Sequence, residues 1–404
     1  MTRHLLSKFH SQYLFPAVAL ACAGAGAFGC SSSTTGSGYG STAGVSGGSS
    51  AQAGGSAGTA TSGGNASGGI GGGAAGAAGA LASFSVTRTD LVSDQAGAAQ
   101  TDPHLVDAWG IAINPTAQLF WLSSNGDGST PVYGASGTPE PFDPKVAPIS
   151  GTDPGSPTGL VFNDGNSFMS DKFIVDTEDG QILGWTGTGD YVQRAVKAGA
   201  GYKGLALIGA GTTQMLVATD FHDGTVDVYD VDYKPVTPGA FTDDTIPAGF
   251  APFNVMPIGN QVYVTYAKQD ADKADDEHAP GNGYVSVFGA DGTFTKRLIS
   301  GGDLNSPWAV AMAPASFGAL ANTLLVGNFG DGAIHAYDPS SGALVGQLTT
   351  AAGDPLLILG LWDLKVGPAG TTDLSNTLYF TAGPADESHG IFGKLEAVQA
   401  VTSY

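Results

Sequence analysis

A unit of three short apolar runs recurs about six times along this chain, and no other feature constrains its fold as much. The clearest copy reads Lys203-Gly-Leu-Ala206, Met215-Leu-Val-Ala218, Asp220-Phe-His-Asp-Gly224 and Thr225-Val-Asp-Val-Tyr229. A near-twin reads Pro307-Trp-Ala-Val-Ala311, Leu324-Leu-Val-Gly327, Asn328-Phe-Gly-Asp-Gly332 and Ala333-Ile-His-Ala-Tyr337. Short strands with an Asp-Gly turn between the last two are the pattern of a propeller blade. The turn glycines Gly128, Gly180, Gly224, Gly283, Gly332 and Gly390 stand about 44 to 59 residues apart, which is the length of a four-stranded blade. Asp-Gly pairs supply the positive φ that tight hairpins need. No segment shows a sustained helical period with caps at both ends. The pattern predicts an all-β fold, a six-bladed β-propeller over residues 83–404.

A closed ring has to complete its last blade. The C-terminal copy lacks an outermost strand, and the strand-like run Phe84-Ser-Val-Thr-Arg-Thr-Asp-Leu-Val92 precedes the first copy. That run is expected to pair into the sixth blade as its outer strand, which removes the open edge of an unclosed fan.

The residues before this run read differently. Arg3 and Lys8 precede an apolar stretch, Tyr13-Leu-Phe-Pro-Ala-Val-Ala-Leu-Ala21, that continues in small residues to Gly29. This is the layout of a secretory signal over residues 1–30. Ala27-Phe-Gly-Cys30 resembles a bacterial lipobox, with Cys30 the expected lipidation site. Phe28 and Ala27 depart from the usual pattern, and Ala19-Leu-Ala-Cys22 competes. Residues 31–82 are Gly, Ala, Ser and Thr with almost nothing large enough to bury, so a disordered linker is expected there. The expected location is outside the cytoplasmic membrane, with lipid as the sole membrane contact and the protein a monomer.

The net charge is -21 with only 13% charged residues, which disfavours nucleic acid as a partner. Both cysteines, Cys22 and Cys30, precede the repeats, so the expected domain has no disulfide, thiolate metal site or cysteine nucleophile.

Several phrases carry a resemblance to a family. They are Leu91-Val-Ser-Asp-Gln95, Trp109-Gly-Ile-Ala112, Thr177-Glu-Asp-Gly180 and Tyr202-Lys-Gly-Leu-Ala206. Pro247-Ala-Gly-Phe-Ala-Pro-Phe-Asn254, Tyr263-Val-Thr-Tyr-Ala-Lys-Gln-Asp270, Leu304-Asn-Ser-Pro-Trp308 and Gly327-Asn-Phe-Gly-Asp-Gly332 extend them. Together they resemble an uncharacterised family of secreted bacterial six-bladed propellers. The resemblance spans roughly Phe84 to Leu395; it implies the fold and no activity. More distantly the blades are similar to NHL repeats and to calcium-dependent lactonase propellers.

The repeat itself nominates a site. In a propeller, the loops leading into the innermost strands and those joining second to third strands share one face around the axis. The first set supplies His104, Lys203, Asn254, Asn305 and Asp363; the second supplies Asn125, Glu178, Asp220 with His222, Lys268 with Asp270, Asn328, and Asp386 near His389. One expectation is a hard-cation site, because calcium takes carboxylate and amide oxygens, here Glu178, Asp220, Asn254 and Asn328. Asp220 or His222 would then be the candidate for proton transfer beside it. The bland alternative is that these side chains cap turns. The insertion Ala267–His278 lacks the glycine and the closing glutamate of an EF-hand loop, so it reads as a charge cluster or a lid. The function expected is a ligand-binding or protein-interaction module for a small molecule or extracellular protein. The alternative is a calcium-dependent hydrolase of lactones or esters.

Overall fold

The computed structural model describes residues 81–236, 241–370 and 372–398. The expected signal, both cysteines and the linker up to residue 80 lie outside them. The strands form six antiparallel fans, the last two joined edge to edge in one sheet. The innermost strands are Ala108–Asn114, Pro157–Phe162, Tyr202–Ile208, Phe250–Ile258, Pro307–Met312 and Leu361–Val366. Each packs against the next, and the sixth returns to the first, so the ring is closed. We number the blades 1 to 6 in this order.

Closure runs through the N-terminal strand, as expected. The strand Ala82–Ser93 pairs antiparallel with Ile391–Ala397 as the outer strand of blade 6, with Val86 opposite Ala397 and Ser93 opposite Ile391. Its first residues also pair in parallel with the outer strand of blade 5, Leu344–Thr349. The N-terminal strand thus ties both sides of the seam. Between blades the core is apolar: Trp121 stacks on Phe173 at 3.9 Å between blades 1 and 2.

One irregularity recurs in all six inner strands. The register against the second strand slips between Ala108 and Ile111, Pro157 and Leu160, Tyr202 and Gly204, Pro252 and Asn254, Pro307 and Ala309, and Leu361 and Leu364. A β-bulge re-aims the side chain at its apex. The residues caught in these bulges are Trp109 with Gly110, Thr158 with Gly159, Lys203, Phe253, Trp308, and Trp362 with Asp363. Glycines follow where strands crowd: a Cβ at Gly159 would stand 2.3 Å from the Leu205 nitrogen, and one at Gly204 would stand 2.4 Å from Asn254 Oδ1.

Candidate functional site

The bulges fill the axis with aromatic rings. Trp109 stacks on Trp362 at 3.6 Å, Trp308 meets both edge-on, and Phe329 stacks on the other side of Trp362 at 4.1 Å. Phe253 and Phe221 complete the plug. The indole N–H groups of these three tryptophans are all satisfied. Asp107 accepts from Trp109 Nε1 at 2.8 Å and from Trp362 Nε1 at 3.0 Å, while Trp308 Nε1 donates to the Lys203 carbonyl at 2.9 Å. The polar channel mouth expected from the repeat is therefore floored by a sealed aromatic layer. The signal for it was in the repeat: Trp109, Trp308 and Trp362 occupy the same place in three copies.

One charge is set into this layer. The Lys203 ammonium lies 5.2 Å from the Trp109 ring centre and 2.5 Å from Glu178 Oε1, with 5% of its side chain exposed. Asn125 Nδ2 donates to Glu178 Oε2 at 3.2 Å. Asp275 stands 3.7 Å away on the other side of the ammonium. Burial alone would pull the lysine pKa down; Glu178 and Asp275 more than reverse this and hold it above its ordinary value. Asn125, Glu178 and Lys203 are expected residues that the fold does bring together beside the plug.

The insertion after Lys268 is a hairpin that reaches over the plug. Gln269 bridges Asp276, and Asp270 is stapled to the turn by accepting from the Ala274 N–H at 2.9 Å. Gln269 Nε2 donates to the Phe221 carbonyl at 2.5 Å, tying the hairpin to blade 3. Lys268 pairs with Glu277. At the far end His278 packs edge-on to Phe329 at 6.0 Å, and its Nδ1 lies 3.0 Å from Asp276. That hydrogen bond raises the His278 pKa against the opposing effect of burial.

Other expected residues go elsewhere. Asn254 and Asp363 are buried inside the ring, where they join blades. Asn254 Nδ2 donates to the Trp308 carbonyl at 2.9 Å, and Asp363 Oδ2 accepts from the Ile111 N–H at 2.9 Å. Burial raises the Asp363 pKa. The Asp220 carboxylate, fully buried, turns to Lys197 Nζ at 2.8 Å and to the Gly201 and Asp223 N–H groups. His222 is exposed beside Asp223, and His389 pairs with Asp94 at 2.7 Å. Asn305 and Asn328 form a separate cluster with Asp331 in blade 5. Glu178, Asp220, Asn254 and Asn328 thus have four different sets of partners. Among the described residues, one His/Asp group brings three ligand atoms within 4.8 Å: His104, Asp127 and Asp143. The Lys145 ammonium already bridges its two carboxylates at 2.9 and 2.6 Å.

No protein-family model matches the sequence. "Uncharacterized protein R648" of Acanthamoeba polyphaga mimivirus is 31% identical over 326 residues, covering 76% of this chain and 78% of that protein. "Uncharacterized protein L690" of the same virus is 31% identical over 326 residues, covering 75% of this chain and 83% of its own length. The chain belongs to their family. Both members are named as uncharacterized, and both are viral. Among solved structures, the α-L-arabinofuranosidase Arb93A of Fusarium graminearum is similar with a TM-score of 0.51 at 13% identity, over 78% of this chain and 98% of that one. A likeness at this identity shows the propeller fold alone.

Proposed function

We propose that the chain is an interaction module, exported and lipid-anchored at Cys30, that docks a basic peptide segment of an extracellular protein. The docking surface is the loop face above its plugged axis. The observation that carries this reading is the charge of that face on a sealed base. The hairpin alone presents Asp270, Asp272, Asp275 and Glu277 against Lys268 and Lys273, and Asp386 of blade 6 lies near enough to act on the hairpin's His278. Trp109, Trp308 and Trp362 fill the channel beneath this face. A rigid propeller carrying one sign of charge on its variable loops attracts the opposite sign from a distance. The anchor rests on the lipobox-like Ala27-Phe-Gly-Cys30 and the Gly/Ser-rich tether that follows it.

The test is a calorimetric titration with a lysine octapeptide and a glutamate octapeptide, at about 50 mM and about 500 mM salt. The lysine peptide should bind at low salt and release at high salt. Replacing Asp272, Asp275 and Glu277 by their amides should weaken binding about tenfold, because three exposed pairs contribute a few tenths of a kcal/mol each. Equal behaviour of the two peptides, or no effect of the triple replacement, defeats the proposal.

A further inference from the structure

Blade 3 is one strand short at its outer edge. Its neighbours, blades 2 and 4, carry fourth strands, Val192–Val196 and Phe294–Ser300, each antiparallel to the third. The third strand of blade 3, Thr225–Tyr229, pairs with the second strand alone. Blade 1 also has three strands, but there the Thr138 carbonyl takes the Gly134 N–H at 2.8 Å and the Glu140 N–H reaches the Val132 carbonyl at 2.9 Å. In blade 3 the Val236 N–H reaches the Val228 carbonyl at 2.8 Å, and the Lys234 carbonyl takes the Asp230 N–H at 2.9 Å. Alternation along the strand turns the backbone polar groups of Val226 to the same side as those of Val228. Among the described residues, nothing pairs with the N–H or C=O of Val226 or with the N–H of Val228. A cleft of about 1090 Å³, lined by Thr225–Tyr229, lies along this edge.

The two sides of the cleft differ in chemistry. Val226 and Val228 pack with Phe241 and Ile246 in the apolar layer shared with blade 4. Asp227, between them in the strand, turns the other way, to Lys197 of blade 2 at 3.0 Å. The same ammonium holds Asp220 and Asp223 at 2.8 and 3.2 Å, so three carboxylates share one lysine, with the exposed His222 beside Asp223. The other cations here are matched one to one: Arg194 forks onto Asp171, and Arg297 pairs with Asp243. Asp244, also lining the cleft, is exposed and adds a further negative charge.

We propose that blade 3 is completed by an extended peptide of a partner protein, one that alternates apolar and basic residues. The unpaired donors and acceptor of Val226 and Val228 specify an extended backbone, because an added strand exchanges those same groups. Successive side chains of a strand point to opposite faces, so every second one meets the apolar layer and the others meet the carboxylates. β-branched residues suit the first set, and lysine or arginine the second. Among the described residues lining the cleft none belongs to the hairpin Gln269–His278, so this surface is distinct from the loop face.

The probe is a fluorescein-labelled (Val-Lys)4 peptide, read by anisotropy at about 150 mM salt. Its control is (Pro-Lys)4, which keeps the charge but has no N–H to place opposite Val226. The valine peptide should bind at least about tenfold more tightly, because it alone can make the edge hydrogen bonds. Hydrogen exchange at the Val226 amide should slow at least about tenfold in its complex. Val226→Pro removes an edge donor and no bond to the second strand, and should abolish the preference for the valine peptide. The exchange measurement uses the wild-type chain and decides the matter if that variant folds poorly. Asp272→Asn, Asp275→Asn and Glu277→Gln together, all in the hairpin, should leave the preference intact. No binding of either peptide, equal affinity for the two, unchanged Val226 exchange in the complex, or a preference lost with the hairpin replacement overturns the proposal. Equal binding of both peptides that the hairpin replacement abolishes assigns them to the loop face and overturns this site alone.

Discussion

The residue facing each inner-strand bulge from the second strand is Ser123, Asp176, Thr219, Thr265, Gly327 and Thr381, taking the blades in order. Five of these are small and neutral; blade 2 alone places a carboxyl there. Asp176 is fully buried, accepts from Thr158 Oγ1 at 2.8 Å and from the Gly159 N–H, and leaves Oδ2 without a partner. No cation is near enough to offset the loss of water, so burial pushes its pKa up to about 7 from 3.8. The native state therefore keeps a proton that the unfolded chain releases between about pH 4 and pH 7. In that window stability falls as pH rises, by at most about 1.4 kcal/mol per pH unit. The whole contribution is present below the unfolded pKa. By the time pH has passed the folded pKa, on the order of 4 kcal/mol has been lost.

Asp176→Asn keeps the acceptor for Thr158 and Gly159 and has nothing to ionise. Urea unfolding of both proteins, followed by tryptophan fluorescence, should give nearly equal stabilities at about pH 3, below the unfolded pKa. At pH 8 the asparagine variant should be the more stable by several kcal/mol. The difference between the two cancels every other titrating group, so its pH dependence reports Asp176 alone. A difference that stays constant from about pH 3 to about pH 8 refutes the reasoning, because the carboxyl would then be no harder to ionise in the fold than in the open chain.

Two further outcomes follow from the plug. Asp107→Ala strands the N–H groups of Trp109 and Trp362, both buried, and should lower the unfolding free energy by about 3 kcal/mol or more in urea titration. Glu178→Gln leaves the Lys203 ammonium without its closest counter-charge and should cost about 3 kcal/mol, whereas Glu178→Gln combined with Lys203→Met should recover most of that loss in a double-mutant cycle.

Much of the ring could be read from the chain because its determinants are local. The Asp-Gly turns at Gly180, Gly224 and Gly332 all adopt the positive φ that the dipeptide favours. Phe84–Val92 reads as a strand and pairs into blade 6 as its outer strand, while its parallel pairing with Leu344–Thr349 of blade 5 had no sign in the repeat. The bulges could not be read this way. A bulge is a property of two strands in register, and nothing in Pro157-Thr-Gly-Leu differs visibly from an ordinary strand start. Yet the bulges decide that Trp109, Phe253, Trp308 and Trp362 turn to the axis, and hence that the mouth has an aromatic floor.

The same gap explains why residues in matching repeat positions have different fates. Asn125 and Glu178 both follow the second strand of their blade and both look towards the inner strand of the next one. Asn125 meets the Pro157 carbonyl there at 3.3 Å, and Glu178 meets Lys203. In blade 3 that place falls to Phe221, whose N–H donates to the Gly201 carbonyl as the Glu178 N–H donates to that of Ser156, and whose ring packs on Phe253, the bulge residue of blade 4. Asp220, expected at this place from the repeat, is instead the last residue of its strand, opposite Tyr202, where blade 2 has Thr177. A buried carboxylate needs partners, and there it takes Lys197 and two backbone N–H groups. A one-residue offset in aligning the repeat thus separates Asp220 from the axis, while the place after the strand meets the next blade's bulge residue: Lys203 for Glu178 and Phe253 for Phe221.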